Sequence, residues 1–259
     1  MGWITRHERL LIGGATIGAF LAAWEVAGRT RLVSRIFFSH PSAILAAGAQ
    51  MWGSGELAQH LRVSGGEFAL GFLLAAVIGI PLGLAAGWAP RLGHGVEPLL
   101  SAFYATPRVA FLPLLVLWLG IGLWSKVAVV LLGAIFPIAI NTAAGVRTVS
   151  HVHLRVARSF RAGQLHVLRT IVLPTSVPFV IAGLRLGIGR GLVGVVVGEL
   201  HAADAGIGFL IATAGATYQI EKVFVGIGVL AAFGITCNEL LARAEARVER
   251  WRPLPDRPR

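Results

Sequence analysis

Two stretches of this 259-residue chain, 68–90 and 127–146, contain no charged residue at all. Each is as long as the roughly 20 apolar residues a helix needs to cross a bilayer core about 30 Å thick. Backbone placed in hydrocarbon must satisfy its own hydrogen bonds, which leaves helices or closed barrels. The alternating pattern of barrel strands is absent, so the chain reads as an all-α polytopic membrane protein. Composition agrees, with 56% hydrophobic residues before the 33 glycines are counted and only 14% charged. That is too little polar surface to coat a water-soluble domain of this length, which excludes a soluble globular enzyme and a disordered chain.

Four further apolar runs carry one or two charges each, giving six expected spans at 10–28, 68–90, 99–122, 126–146, 177–198 and 223–242 within one transmembrane domain covering 1–259. A seventh run, 206–216, is too short to span and reads as a re-entrant or surface segment. The first span follows a basic head with Arg6 and Arg9, as a secretory signal would, but it lacks a small-residue cleavage site and is read as a retained helix. Six spans put both termini on one side. With that side inside, the inner segments hold 14 Lys or Arg, including the six arginines from Arg243 to Arg259, and the outer segments hold 6. The positive-inside rule therefore places both termini in the cytoplasm. It also accounts for most of the net charge of +11 without nucleic acid as a partner.

Charges inside the spans are few. Arg108 interrupts the third span, and Arg185 and Arg190 the fifth. An arginine at mid-helix costs about 2.5 to 3.5 kcal/mol on insertion scales, while each strongly apolar residue contributes about 0.3 to 0.6. The fifth helix would thus be marginal facing lipid. Its arginines are expected to face the protein, toward an aqueous path or carbonyl acceptors, or to snorkel to an interface. They either help attract an anion or cap internal carbonyls. Between Glu97 and Glu199 there is no acidic residue against nine basic ones. Only Glu25, Glu199 and Glu239, near span ends, are on hand for the proton or sodium coupling of a secondary transporter.

Glycines at four-residue spacing, Gly79, Gly83 and Gly87 in the second span and Gly183, Gly187 and Gly191 in the fifth, make close-packing faces, either within the chain or at a subunit interface or moving seam. The single cysteine, Cys237, permits no intramolecular disulfide or cysteine metal site. No paired carboxylates or HExxH motif appear, so neither catalytic nor metal-ligating residues are expected.

The loop between the fourth and fifth spans, 147–174, is the most informative segment. After the plausible N-cap Ser150, Val152, Val156, Ala157 and Phe160 recur at helical spacing. Gly163 can break that helix, and a second short one with Leu165, Leu168 and Ile171 is expected to stop at Pro174. Two such amphipathic helices form a docking platform or merely a surface-lying connector.

This loop resembles that of the integral membrane subunits of binding-protein-dependent ABC importers, in the branch for nitrate, sulfonate, taurine and related small solutes. The family pattern is EAA, three residues, G, nine residues, I-x-L-P. Arg155, Val156 and Ala157, then Arg161, then Ile171, Leu173 and Pro174 occupy those positions, with Arg155 in place of Glu, Arg161 in place of Gly, and Gly163 two residues later. HPSAIL at 40–45, PRVAFLPLLVLWLGIG at 107–122, FPIAINTAAGVR at 136–147 and LPTSVPFVIAGLRLGIGRGLVGVVVGEL at 173–200 carry the resemblance over about 38–240.

The resemblance implies a type I ABC importer permease fold in the cytoplasmic (inner) membrane, with a coupling-helix loop formed by Arg155, Val156, Ala157, Arg161, Gly163, Leu173 and Pro174. It implies a second permease subunit, two ABC ATPase subunits carrying ATP and magnesium, and a periplasmic or lipid-anchored solute-binding protein. This chain would bind no cofactor and would not be an enzyme. With Lys126 and Lys222 its only lysines, neither preceded by glycine, it has no phosphate-binding GxxxxGK[ST] loop. Arg108, Asn141, Arg185, Arg190 and Glu199 are the candidates for the translocation path of a small, anionic solute. The competing reading is an ion-coupled secondary transporter or a channel.

Overall fold

The computed structural model describes residues 2–30, 37–201 and 203–248, so Arg31, Arg35, Arg250, Arg252, Arg257 and Arg259 of the charge count lie outside the described residues. In chain order the helices are α1 (Gly2–Arg29), α2 (Pro41–Gly53), α3 (Glu56–Trp88), α4 (Pro90–Ala105), a 3-10 turn (Arg108–Phe111), α5 (Leu112–Leu119) and α6 (Leu123–Arg147). Then come α7 (His151–Ser159), α8 (Gln164–Val167), a π-helical turn (Leu168–Val172), α9 (Leu173–His201), α10 (Ile207–Ala216) and α11 (Ile220–Val248). No strand occurs among the described residues.

Helix α6 is the core. Val130, Ala134, Ile138, Ala139, Ser125 and Thr142 on it have no accessible surface, because two glycine faces close on it from neighbouring sides that share Val130 and Ile138. On α3, a Cβ at Gly83 or Gly87 would come within 2.6 Å of Thr142 or Val146. On α9, Gly183 meets Asn141 and Ile138, Gly191 meets Val130 and Gly198 meets Lys126. Lipid gives helices no hydrophobic drive to associate, so close backbone approach through small residues supplies the van der Waals contact instead. Both glycine faces therefore serve packing within the chain.

The direction of each crossing follows from these pairs. Gly79, Gly83 and Gly87 meet successively later residues of α6, so α3 and α6 run parallel, whereas later glycines of α9 meet earlier residues of α6. A chain that finishes α3 at one end and begins α6 at the other must cross back between them. That return is α4 with the 3-10 turn and α5, and it is bent by 89° at Thr106–Pro107. The third expected span is thus corrected from one helix at 99–122 to a broken pair beginning at Pro90. Pro107 lacks a donor and disfavours helix at the residue before it, which accounts for the break.

Five unbroken apolar helices and this broken one make six crossings. At the end where α3 and α11 begin, Trp24 of α1 donates its indole N–H to the Ser39 carbonyl (2.8 Å) and packs on Phe224, and Lys222 pairs with Glu56 (2.8 Å). The start of α1, the end of α11 and α7 therefore share the opposite end. The short run at 206–216 forms α10, tucked against α9, α11 and α3 without crossing.

A second correction concerns Pro174, which does not stop the second loop helix. Residues 164–201 run on as one apolar helical stretch. The π-helical turn at Leu168–Val172 widens the backbone just ahead of the proline, and the hydroxyls of Thr175 and Ser176 donate to the carbonyls of Ile171 and Val172 (both 2.7 Å). The wider turn lets the helix pass the proline ring, which would otherwise crowd the carbonyl one turn back, and the two hydroxyls add bonds within the turns beside it.

Candidate functional sites: the α7 loop and the broken crossing

Helix α7 is capped by Ser150, whose hydroxyl accepts from the Val152 N–H (3.2 Å). It is strongly amphipathic. Ala157 packs into a cluster with Val146, Val149, Val167 and Val172, which seats α7 on the end of α6 and on α8 and the π-helical turn that lead into α9. The other face is open: Arg155, Arg158 and Arg161 are exposed, Val156 is half exposed and Phe160 is 82% exposed. Val156, Phe160, His166, Thr170 and Pro174 border a groove of about 540 Å³. None of the arginines at 155, 158, 161 and 169 has an acidic partner among the described residues. Phe160 thus stands open beside a groove, on a loop whose four arginines have no acidic partner among the described residues.

The helix ends in a Schellman motif, with the Arg161 N–H on the Arg158 carbonyl (2.9 Å) and the Ala162 N–H on the Ala157 carbonyl (3.0 Å). Its left-handed residue is Arg161, at φ 52°. Gly163, expected to break the helix, is instead the extended N-cap of α8 at φ −66°. The backbone thus requires left-handed geometry at the position where the resembling family has glycine. Leu173 and Pro174 lie half-buried where α9 leaves the π-helical turn.

The second site lies at the break in the third crossing. Tyr104, Thr106, Arg108, Val129, Arg190 and Val193 are among the residues lining a cavity of about 440 Å³. Arg108 donates through Nη2 to the Tyr104 carbonyl (2.9 Å), one of the carbonyls the end of α4 leaves unpaired. The guanidinium carbons of Arg108 and Arg190 each lie 5.3 Å from the centroid of the Tyr104 ring, within cation–π range.

Of the five expected path residues, only these two arginines come together. Arg185 pairs with Glu245 of α11 (2.8 Å). Asn141 donates its side-chain N–H to the Pro137 carbonyl (2.8 Å), one turn back on its own helix. Glu199 is buried near the far end of the core, where its carboxylate accepts from the Ser64 hydroxyl (2.5 Å) and the Gly208 N–H (2.6 Å) and fills the space where Gly206 would carry a side chain.

Sequence reasoning missed three residues. Tyr104 carried no signal beyond lying one turn before Arg108. Glu67 stands one residue ahead of the expected second span and Lys126 at the first position of the expected fourth, yet both are buried, at 2% and 5% exposure, and they pair at 3.2 Å. The set of intramembrane carboxylates is corrected accordingly, because α3 begins a full three turns before the uncharged run. The spacing of Ser64 and Glu67, three apart on one helix face, was the available clue.

Residues 79–250 match the family model described as binding-protein-dependent transport system inner membrane component. The chain is 33% identical over 253 residues to the taurine transport system permease protein TauC of Escherichia coli strain K12, covering 96% of this chain and 91% of that one. It is 34% identical over 232 residues to the putative aliphatic sulfonates transport permease protein SsuC of Bacillus subtilis strain 168, covering 90% and 84%. The SsuC of Escherichia coli strain K12 is 30% identical over 236 residues, covering 90% and 89%. With more than half of its length matched, and with six alternating helical crossings and a surface-seated α7, the chain belongs to the binding-protein-dependent transport system inner membrane components, as a permease subunit of an ABC importer.

Proposed function

We propose that this permease translocates a small sulfonate, of the taurine or alkanesulfonate type, into the cytoplasm, driven by separate ATPase subunits that dock on α7. The substrate class is supported by the similar permeases, which are named for taurine and aliphatic sulfonate transport. The observation that carries the docking surface is the open face of α7, with Phe160 and Val156 beside a groove and four unpaired arginines around it. In this reading both termini and α7 are cytoplasmic, as the arginine distribution requires. A second permease subunit completes the pore, a periplasmic or lipid-anchored binding protein delivers the solute, and ATP with magnesium is held by the ATPase pair. The chain itself supplies no catalytic residue.

Arg155 and Arg161 give the docking face a positive rim, so the ATPase groove is expected to be acidic, with charge-assisted hydrogen bonds across the contact. Reversing the charge with Arg155→Glu should lower recovery of the ATPase on the purified permease about tenfold or more, since losing a charged hydrogen bond costs about 1.5 to 3 kcal/mol. Unchanged copurification together with unchanged ATP hydrolysis would refute this contact.

A further inference from the structure

The cavity at the broken crossing is lined by two positive charges and, among the described residues, by no negative one. Neither Arg108 nor Arg190 forms an ion pair among the described residues, and Arg108 Nε is buried without a hydrogen-bond partner. The two acidic residues that bracket this half of the sequence are engaged elsewhere, Glu97 by Arg147 (2.9 Å) and Glu199 by Ser64 and Gly208. Arg190 Nη2 stands 3.4 Å from the Tyr104 hydroxyl, at the long limit of a hydrogen bond, so its fork of donors is largely unspent. Irregular backbone at membrane depth is tolerated where it is buried in protein or lines an aqueous cavity, and the Thr106–Pro107 break lines this one. At about 440 Å³ the cavity lies within the range of small-ligand sites, about 300 to 1,000 Å³.

We infer that Arg108, Arg190 and Tyr104 form a solute site within the permease itself, which takes the sulfonate head of the transported molecule between the two guanidinium groups. This rests on the sulfonate reading above. A sulfonate offers three acceptor oxygens and keeps its charge at physiological pH, and two planar donor forks suit it better than ammonium groups would. Val109, Val129 and Val193 supply an apolar wall for a short tail. No carboxylate among the described residues lines the cavity, so the ammonium of an aminosulfonate finds no acidic partner on them. The site therefore recognises the head and ignores the far end, leaving discrimination between aminated and plain sulfonates to the binding protein. Tyr104 orients both arginines through its ring and is a positioning residue.

The test uses the assembled permease–ATPase complex in lipid nanodiscs, with trifluoromethanesulfonate as probe and its fluorine NMR line width as readout. Wild type should broaden the line, and ethanesulfonate should reverse the broadening. Arg190→Gln should reduce the competable broadening about tenfold, and Arg190→Lys should keep at least a third of it. Arg91→Gln, an equal charge change at an exposed position outside the cavity, should leave it unchanged. If Arg190→Gln fails to assemble, Tyr104→Leu, which removes the shared ring, should give the same loss. Broadening that ethanesulfonate does not reverse, or that survives Arg190→Gln, overturns the site. Ethanesulfonate uptake measured in parallel separates the two claims. Arg190-dependent broadening without uptake leaves the site standing and removes the substrate assignment, whereas uptake without Arg190-dependent broadening does the reverse.

Discussion

Arg161 holds a backbone conformation that glycine adopts at no steric cost. For a residue with a Cβ the left-handed region costs roughly 1 to 2 kcal/mol, and here the Schellman hydrogen bonds that end α7 enforce it. Arg161→Gly should therefore raise the stability of the solubilised permease by about 1 kcal/mol, which for a chain of this size is a rise in Tm of about 2 to 4 °C. Thermal unfolding followed by circular dichroism would show it, and an unchanged or lower Tm would mean that the arginine side chain contributes more than its backbone costs. The strain was legible in part. The family pattern places glycine at 161, but Gly163 offered a plausible substitute breaker, and only the backbone angles show which residue turns left. At Gly206, φ is 124° and the Glu199 carboxylate occupies the side-chain space, so glycine is required there on both counts.

At the level of elements, α6 is held by glycine faces along its length and by one buried ion pair near its start. Lys126 of α6 meets Glu67 of α3, while Glu199 of α9 binds Ser64 of α3 and the Gly208 N–H of α10. This polar cluster joins four helices at the end remote from α7. Removing one member of a buried pair leaves an uncompensated charge, at a cost of about 3 to 5 kcal/mol. Lys126→Met should thus destabilise the permease by about that amount, and adding Glu67→Gln should recover more than half of it in a denaturant titration. Additive losses would show that the two side chains are not coupled. Helix number and the central position of the apolar runs were legible from hydropathy, because insertion energy sums over a window. The break at Thr106–Pro107, the passage of α9 through Pro174 and the inclusion of Glu67 in α3 were not. Each depends on a hydrogen bond or a side-chain pairing at one position, which a window average cannot register.

Over the whole molecule, α6 and α9 connect the two candidate sites. Both line the arginine cavity, through Val129 and Gly133 on one and Arg190, Val193 and Gly194 on the other, and α7 is seated where their other ends meet. In the proposed reading, a displacement of α7 by an ATPase would be passed toward the cavity walls by α6 and α9, which pack closely on each other. Such a path suits an importer in which solute passage is driven by a partner's ATP cycle rather than by an ion bound in this chain. The decisive measurement is uptake of radiolabelled ethanesulfonate into proteoliposomes holding the permease with its ATPase and binding protein. Uptake should require ATP on the α7 side and the binding protein on the other, and it should persist when a proton ionophore collapses the gradient. Uptake that continues without ATP and vanishes with the ionophore would contradict ATP-driven import.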